Sequence, residues 1–286
     1  MREGSVAMQI AMYDRAMKVR AFVFDVGGTL WFEAKPVDEE RVWRLEAEAV
    51  APLLRASGIT LPEPVAAIQR EVWRRYEDTW REAQRRETYV DPSLPALIQS
   101  AMASRDVALS DEQAVAWWRA AWISVREFNV ELYPDAIDVL SELRARGMKI
   151  GINTNRPCTA EMFLRDAADY GFARHVDAAV CSGDTGYVKP HPSTFELILE
   201  RLGVAPEETA MIGDSCDADM APARAMGMHT VLKLNGRYGL PPCEDADFEV
   251  HDLSEVLALP LVGVRPVRAG VDESLTPHED ENENRY

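Results

Sequence analysis

The second half of the chain alternates between helix-like and strand-like patterns, and this alternation constrains its fold more than any other feature. After Pro134, stretches with apolar residues spaced three or four apart are separated by short, continuous apolar runs. The helical pattern covers residues 135–146, 159–170, 193–202 and 217–225, and the strand pattern covers 149–153, 178–181, 209–213 and 229–232. A further strand is predicted at 18–25. Alternating strands and helices form parallel crossovers, so the sequence predicts an α/β protein with a parallel sheet.

A long helical stretch separates the first predicted strand from the others. It runs from about Pro36 to Val130, and Pro and Gly residues separate its four predicted helices, at 41–56, 64–86, 93–103 and 111–126. We therefore predict an all-helical insertion at 34–131 and a core formed by 18–33 and 132–265. The remaining segments are an N-terminal extension, 1–17, and an acidic tail, 266–286, which is expected to be disordered because it contains few apolar residues.

The charge balance limits the partners of this chain. Its 286 residues include 48 acidic side chains and 31 Lys or Arg side chains, a net charge of −17 that disfavours nucleic acid as a ligand. The apolar run at 256–264 is about half as long as a membrane span and contains Pro260. The first twenty residues carry no export signal, so we expect a cytoplasmic protein without membrane contact. The four cysteines lack zinc-binding or C-x-x-C spacing and are expected to be free thiols.

Four polar segments stand at the ends of predicted strands or in the loops that follow them. In parallel α/β sheets, ligands bind in the crevice outside the carboxyl ends of the strands, so these segments are expected to converge on one site. The candidate residues are Asp25, Gly27, Gly28 and Thr29 in the first segment, Thr154 and Asn155 in the second, Lys189 in the third, and Asp214 and Asp219 in the fourth.

The residue types in these segments favour phosphate chemistry. Asp25 can act as a nucleophile or a metal ligand, and the glycine pair that follows it allows backbone amides to approach an anion closely. Thr154 and the Asn155 amide can bind phosphate oxygens, and Lys189 supplies a compact positive charge. Asp25 and Asp214 together suit a hard divalent cation such as Mg²⁺.

The order of these motifs and their residue types resemble those of the haloacid dehalogenase-like superfamily of hydrolases. Its first motif, Asp-x-Asp-x-Thr, matches residues 25–29 at all but one of its defined positions, and its later motifs match Thr154, Lys189, Asp214 and Asp219. The resemblance extends over about residues 18–257. It implies a Rossmann-like three-layer core with a parallel sheet, and an all-helical cap domain inserted after the first strand.

The resemblance also implies a mechanism and a role for each candidate residue. Asp25 would attack phosphorus and form an aspartyl-phosphate that water then hydrolyses. The Mg²⁺ ligands would be Asp25, Asp214 and the backbone carbonyl of Gly27. The phosphate-binding residues would be Gly27, Gly28, Thr154, Asn155 and Lys189, with Thr29 and Asp219 in supporting roles. The expected partner is a small phosphorylated metabolite, and the expected assembly is a monomer or a homodimer.

Gly27 is the departure from the family pattern. Phosphatases of the family carry an Asp there, which protonates the leaving group and activates water, and such acid–base help is worth about 10²–10⁴-fold. The favoured hypothesis is a Mg²⁺-dependent phosphatase. The alternatives are a 2-haloacid dehalogenase-like hydrolase, whose halide leaves without a proton, and a non-catalytic protein that binds a phosphorylated ligand.

Overall fold

The computed structural model describes residues 19–235 and 242–262. The predicted N-terminal extension, 1–17, and the acidic tail, 266–286, lie outside the described residues. Within the described part, no helix is both long enough and apolar enough to cross a membrane.

Eight strands and nine α-helices make up the regular structure of the described residues. The strands are β1 (Ala21–Phe24), β2 (Trp31–Glu33), β3 (Val130–Leu132), β4 (Lys149–Thr154), β5 (Ala178–Cys181), β6 (Thr209–Gly213), β7 (His229–Lys233) and β8 (Phe248–Val250). The helices are α1 (Glu39–Ala56), α2 (Val65–Arg85), α3 (Leu94–Ala103), α4 (Asp111–Ala121), α5 (Ala136–Ala145), α6 (Ala160–Asp169), α7 (Ser182–Thr185), α8 (Pro192–Leu202) and α9 (Ala221–Ala225).

Six parallel strands form the central sheet, in the order β5-β4-β1-β6-β7-β8. All four residues of β1 are buried, as expected for a central strand covered on both faces. At its carboxyl end, Phe24 lies opposite Ile152 of β4 and Ile212 of β6. The three strands therefore end at the same edge, which brings together the loops that follow them.

Apolar clusters cover both faces of the sheet. Successive side chains of a strand point to opposite faces, so Phe22 of β1 joins one cluster and Val23 joins the other. Phe163 of α6 belongs to the first cluster, and Phe195 of α8 belongs to the second. The result is a helix–sheet–helix arrangement, and the predicted α/β fold with a parallel sheet is confirmed.

Helices α1 to α4 lie between β2 and β3 in the sequence and share a separate apolar cluster. Val50, Ile68, Ile98 and Trp117, one from each helix, are buried together in it. Strands β2 and β3 pair antiparallel at the base of this segment, and their pairing was not predicted because three-residue strands show no measurable periodicity. We propose that 34–131 forms the cap domain.

Two predicted helices differ from the observed ones. The helix expected at 111–126 ends at Ala121, because Trp122 leaves the helical region with a ψ of 84° and a 3₁₀ turn, Val125–Phe128, follows. The helix expected at 217–225 begins with a π-helical turn, Cys216–Met220, before α9.

The prediction of four free thiols is wrong for two of them. Cys216 and Cys243 form a disulfide, with their Cα atoms 5.7 Å apart. Their separation by 27 positions in the sequence concealed this proximity, which arises because the fold returns the chain to the same side of the sheet. Cys158 and Cys181 are free and buried.

Gly183 provides a test of how tightly the loop after β4 is held. A Cβ atom at position 183 would lie 2.5 Å from the carbonyl oxygen of Cys158, a backbone atom that cannot move aside cheaply. We expect Gly183→Ala to lower the free energy of unfolding by about 1–3 kcal/mol, measured by urea denaturation. Gly27→Ala is the matched control, because a Cβ there meets no atom within 4 Å. Equal stability of the two variants would contradict this prediction.

Candidate active site

The sequence motifs meet in a cavity of about 290 Å³ at the carboxyl edge of the sheet. Asp25 follows β1, Thr154 ends β4, and Asp214 follows β6, while Lys189 reaches the same point from the loop before α8. Gly27, Asn155 and Asp219 also line this cavity. The structure therefore brings together residues that are separated by up to about 190 positions in the sequence.

Lys189 is the electrostatic centre of this cavity. Its Nζ atom lies 2.7 Å from Oδ1 of Asp25 and 2.6 Å from Oδ1 of Asp219, and all three side chains are buried. Burial alone would lower the pKa of Lys189, but the charges of Asp219 and Asp25 outweigh burial and raise it overall. Lys189 is therefore a permanent positive charge.

Asn155 fixes the backbone of Lys189 at both of its polar groups. The Lys189 amide donates to Oδ1 of Asn155 at 2.7 Å, and the Asn155 Nδ2 donates to the Lys189 carbonyl at 3.2 Å. Because the Asn155 side chain is used in this way, a phosphate contact from this residue would come from its backbone N–H.

Three carboxylates converge beside this lysine. Oxygens of Asp25, Asp214 and Asp219 lie within 4.8 Å of one another. Nδ2 of Asn235 donates to Oδ2 of Asp214 at 2.6 Å, and the Ser215 amide donates to Oδ2 of Asp219 at 3.2 Å. Burial raises the pKa of Asp219 to about 7 against the opposing charge of the lysine. Clustered carboxylates are hard oxygen donors that suit a divalent cation such as Mg²⁺.

Gly27 and Gly28 differ in what the backbone requires of them. Gly28 has a φ of +75°, and a Cβ there would lie 2.2 Å from Oδ2 of Asp214, so only glycine allows this close approach. Gly27 lies outside the left-handed region, and a Cβ there would meet no atom within 4 Å. A side chain at position 27 is therefore sterically permitted, and its absence needs a chemical explanation.

The remaining predicted residue, Thr29, is not among the described wall residues of the cavity. It is fully buried, and its hydroxyl has no hydrogen-bond partner among the described residues. The roles assigned to Thr29 and the other candidates by resemblance stay predictions.

A second cavity, of about 830 Å³, opens beside the first. The two share Gly27, Trp31, Arg156 and Asp214 as wall residues. The far wall of the larger cavity includes Glu46 of α1 and Trp73 of α2, so this space lies between the core and the helical segment.

Arg156 joins the two cavities and was missed by the sequence analysis. Its guanidinium carbon lies 5.2 Å from the ring centres of both Trp31 and Trp122, and its Nη2 is 3.4 Å from Oδ2 of Asp166. Its position two residues after Thr154, in the same loop, was the only signal available. Asn235 was also missed, since it follows β7 outside any recognised motif.

Glu46 is the most unusual titratable group in the larger cavity. Its Oε2 accepts hydrogen bonds from Nε2 of Gln69 at 2.7 Å and from Nε1 of Trp73 at 3.4 Å. Both partners are neutral, and burial raises the pKa of Glu46 to about 7 against the weaker opposing effect of these hydrogen bonds.

Comparison with known proteins places this chain in a family. The sequence profile of the haloacid dehalogenase-like hydrolases matches residues 19–227. A phosphoserine phosphatase from Thermus thermophilus is 36% identical over 125 residues, covering 44% of this chain and 49% of the relative. A glyceraldehyde 3-phosphate phosphatase from Methanocaldococcus jannaschii is 34% identical over 128 residues, covering 44% and 54%. The chain thus spans about half the length of these curated relatives.

A solved structure shows the similarity of the fold. The 2-haloacid dehalogenase from Pseudomonas syringae superposes with a TM-score of 0.53 at 21% identity, covering 84% of this chain and 97% of that protein.

Glu46→Gln tests the buried carboxyl of the larger cavity. Because the folded-state pKa lies above that of the unfolded chain, the folded protein retains a proton that the unfolded chain releases between about pH 4.5 and 7. Wild-type stability should therefore fall across this window as the pH rises. The free energy of unfolding of Glu46→Gln minus that of wild type should therefore increase by about 2 kcal/mol when the pH is raised from 5 to 8.5. Glu48→Gln, exposed on the same helix, is the control, and a pH-independent difference for Glu46→Gln would refute the prediction.

Proposed function

This chain belongs to the haloacid dehalogenase-like hydrolases, and on that premise we propose that it hydrolyses the phosphate monoester of a small metabolite with the help of Mg²⁺. The observation that carries this proposal is the cluster of the Asp25, Asp214 and Asp219 carboxylates, two of which, Asp25 and Asp219, contact Lys189. A nucleophilic carboxylate, a fixed positive charge and a cation site are the components that phosphoryl transfer requires.

Asp25 is the proposed nucleophile. Lys189 contacts its Oδ1, and we assign the attack on phosphorus to Oδ2. The new bond joins this oxygen to phosphorus as the bond to the leaving oxygen breaks. Water then attacks phosphorus, and the bond between phosphorus and the Asp25 oxygen of this acyl phosphate breaks. Thr154, the Asn155 backbone and Lys189 would hold the oxygens of the transferring phosphoryl group.

Asp25, Asp214 and the Gly27 carbonyl would hold Mg²⁺. When bound, the cation neutralises charge on the phosphoryl oxygens. Asp219 would support the reaction indirectly. Its carboxylate holds Lys189 in place and accepts a hydrogen bond from the Ser215 amide, at the start of the turn that follows Asp214.

The relatives support this assignment, since the two described above are both named phosphatases. Gly27 favours a second candidate, a 2-haloacid dehalogenase, because a halide leaves without a proton. The cluster of three carboxylates weighs against that candidate, since dehalogenation does not require a divalent cation.

Asp25→Asn tests the nucleophile. The amide cannot form the phosphoester, so phosphate release from a panel of phosphorylated metabolites should fall by about three orders of magnitude or more. Asp217→Asn, an exposed position on the Asp214 loop, is the control and should retain activity. Halide release from 2-haloacids without Mg²⁺, in place of phosphate release, would select the dehalogenase. The proposal fails if Asp25→Asn hydrolyses phosphate esters at the wild-type rate.

Asp214→Asn tests the cation. Mg²⁺ that binds only the folded state raises the melting temperature by mass action, and millimolar Mg²⁺ should do so for wild type. The gain should disappear in Asp214→Asn and persist in Asp217→Asn, as measured by differential scanning fluorimetry. A wild-type melting temperature that does not respond to Mg²⁺ would argue against the cation site.

A further inference from the structure

The smaller and larger cavities form one continuous site with two different ends. The smaller end carries the nucleophile and the fixed lysine and has room for a phosphoryl group. The larger end begins at Gly27 and Arg156, which line both cavities, and extends to Trp73. If the proposed function holds, the phosphoryl group occupies the smaller end and the leaving group must occupy the larger one.

The walls of the larger cavity are rich in aromatic rings. At about 830 Å³ its volume falls in the range of sites that enclose a drug-sized ligand, far more than a three-carbon metabolite fills. The aromatic wall residues are Trp31, Phe32, Trp73, Trp122, Phe128 and Tyr133. Such walls bind planar groups by ring stacking, while a small polar leaving group would leave most of this surface in contact with water.

Arg156 adds a flat cationic surface to these rings. Its guanidinium lies over both Trp31 and Trp122, which holds the planar group in a defined position at the junction of the two cavities. A guanidinium in this position can stack on an aromatic ring of a ligand and also face the phosphate.

The chemistry at position 27 selects the same kind of leaving group. An alkoxide is strongly basic and needs a proton as it departs, whereas a phenolate, with a conjugate-acid pKa near 10, can depart without one. Gly27 provides no proton donor, although the backbone there would accommodate a side chain. A leaving group that departs without a proton can be released even though position 27 carries no acidic side chain.

We propose that this enzyme acts on aryl phosphates, with the aromatic ring of the leaving group held against the rings and Arg156 of the larger cavity. An Asp25 oxygen forms a bond to phosphorus, and the bond between phosphorus and the aryl oxygen breaks with its electron pair leaving as a phenolate. Water then attacks phosphorus, and the bond between phosphorus and the Asp25 oxygen breaks. The proton of the water passes to solvent, from which the phenolate takes one. This inference rests on the proposed function and names its substrate class.

A leaving-group series tests the chemistry in the full-length wild-type chain with Mg²⁺. We expect kcat/KM for 1-naphthyl phosphate to exceed that for cyclohexylmethyl phosphate, an alkyl ester of comparable bulk, by about 10²-fold or more. In Gly27→Asp, the restored acid should narrow this ratio at least about tenfold, chiefly through faster hydrolysis of the alkyl ester. Acetyl phosphate, which has a small leaving group that also departs without a proton, separates leaving-group chemistry from binding in the cavity.

A pair of variants tests the cavity. Trp73 and Trp80 lie on the same helix, but only Trp73 lines the larger cavity among the wall residues described. Trp73→Leu should raise KM for 1-naphthyl phosphate by about tenfold relative to KM for acetyl phosphate, and Trp80→Leu should not change that ratio. Melting temperatures establish whether both variants are folded. If either variant is unfolded, the leaving-group series in the wild-type chain still tests the proposal.

The possible results distinguish this inference from the proposed function. Phosphate release from none of the esters would overturn both. Release from acetyl phosphate together with equal kcat/KM for the alkyl and naphthyl esters would leave the phosphatase intact and overturn the inference. Efficient alkyl ester hydrolysis that is lost in Glu46→Gln would also overturn it, because the cap carboxyl would then be donating the missing proton.

Discussion

The buried contact of Lys189 with Asp25 and Asp219 is the interaction on which the rest of the site depends. It joins three loops that follow different strands, and each charge in it is stable only because the others are present. Removing the lysine would leave two buried carboxylates without a counter-charge, which is far more costly than losing an exposed ion pair. Asn155 extends this constraint to β4, since it binds both backbone polar groups of Lys189. The position of Asp25 therefore depends on the parallel sheet, which aligns the ends of β1, β4 and β6.

Much of this arrangement could be predicted from the sequence. Continuous apolar runs identified the central strands, and the rule that ligands bind at their carboxyl ends placed Asp25, Thr154, Lys189 and Asp214 together before the structure was known. These predictions succeeded because they depend on the backbone direction of buried strands, which short sequence patterns determine. The same patterns predicted the α/β fold, and the resemblance of the polar motifs indicated the family of hydrolases to which the chain belongs.

The features that could not be predicted depend on contacts between distant segments. Glu46 has ordinary helical spacing, and only its burial against Gln69 and Trp73 makes it unusual. The guanidinium of Arg156 is positioned by Trp31 and Trp122, which are far apart in the sequence. The Cys216–Cys243 disulfide was missed for the same reason, because the sequence spacing of two cysteines does not reveal their distance in the fold. The different requirements of two adjacent glycines were also hidden, since the backbone requires glycine at position 28 but not at position 27.

Charge explains why the two ends of the proposed site need each other. A phosphate dianion that enters the smaller cavity would meet three carboxylates, Lys189 and Arg156, in a chain whose net charge is −17. Coulomb repulsion in a buried site is strong, so Lys189 alone cannot make this environment attractive to an anion. The proposed divalent cation at Asp25 and Asp214 would supply further positive charge, and so would the guanidinium of Arg156, which lines both cavities. Arg156 lies over two rings that also line the larger cavity. Under the proposed function, the surface that receives the leaving group would therefore also position a group that attracts the phosphate.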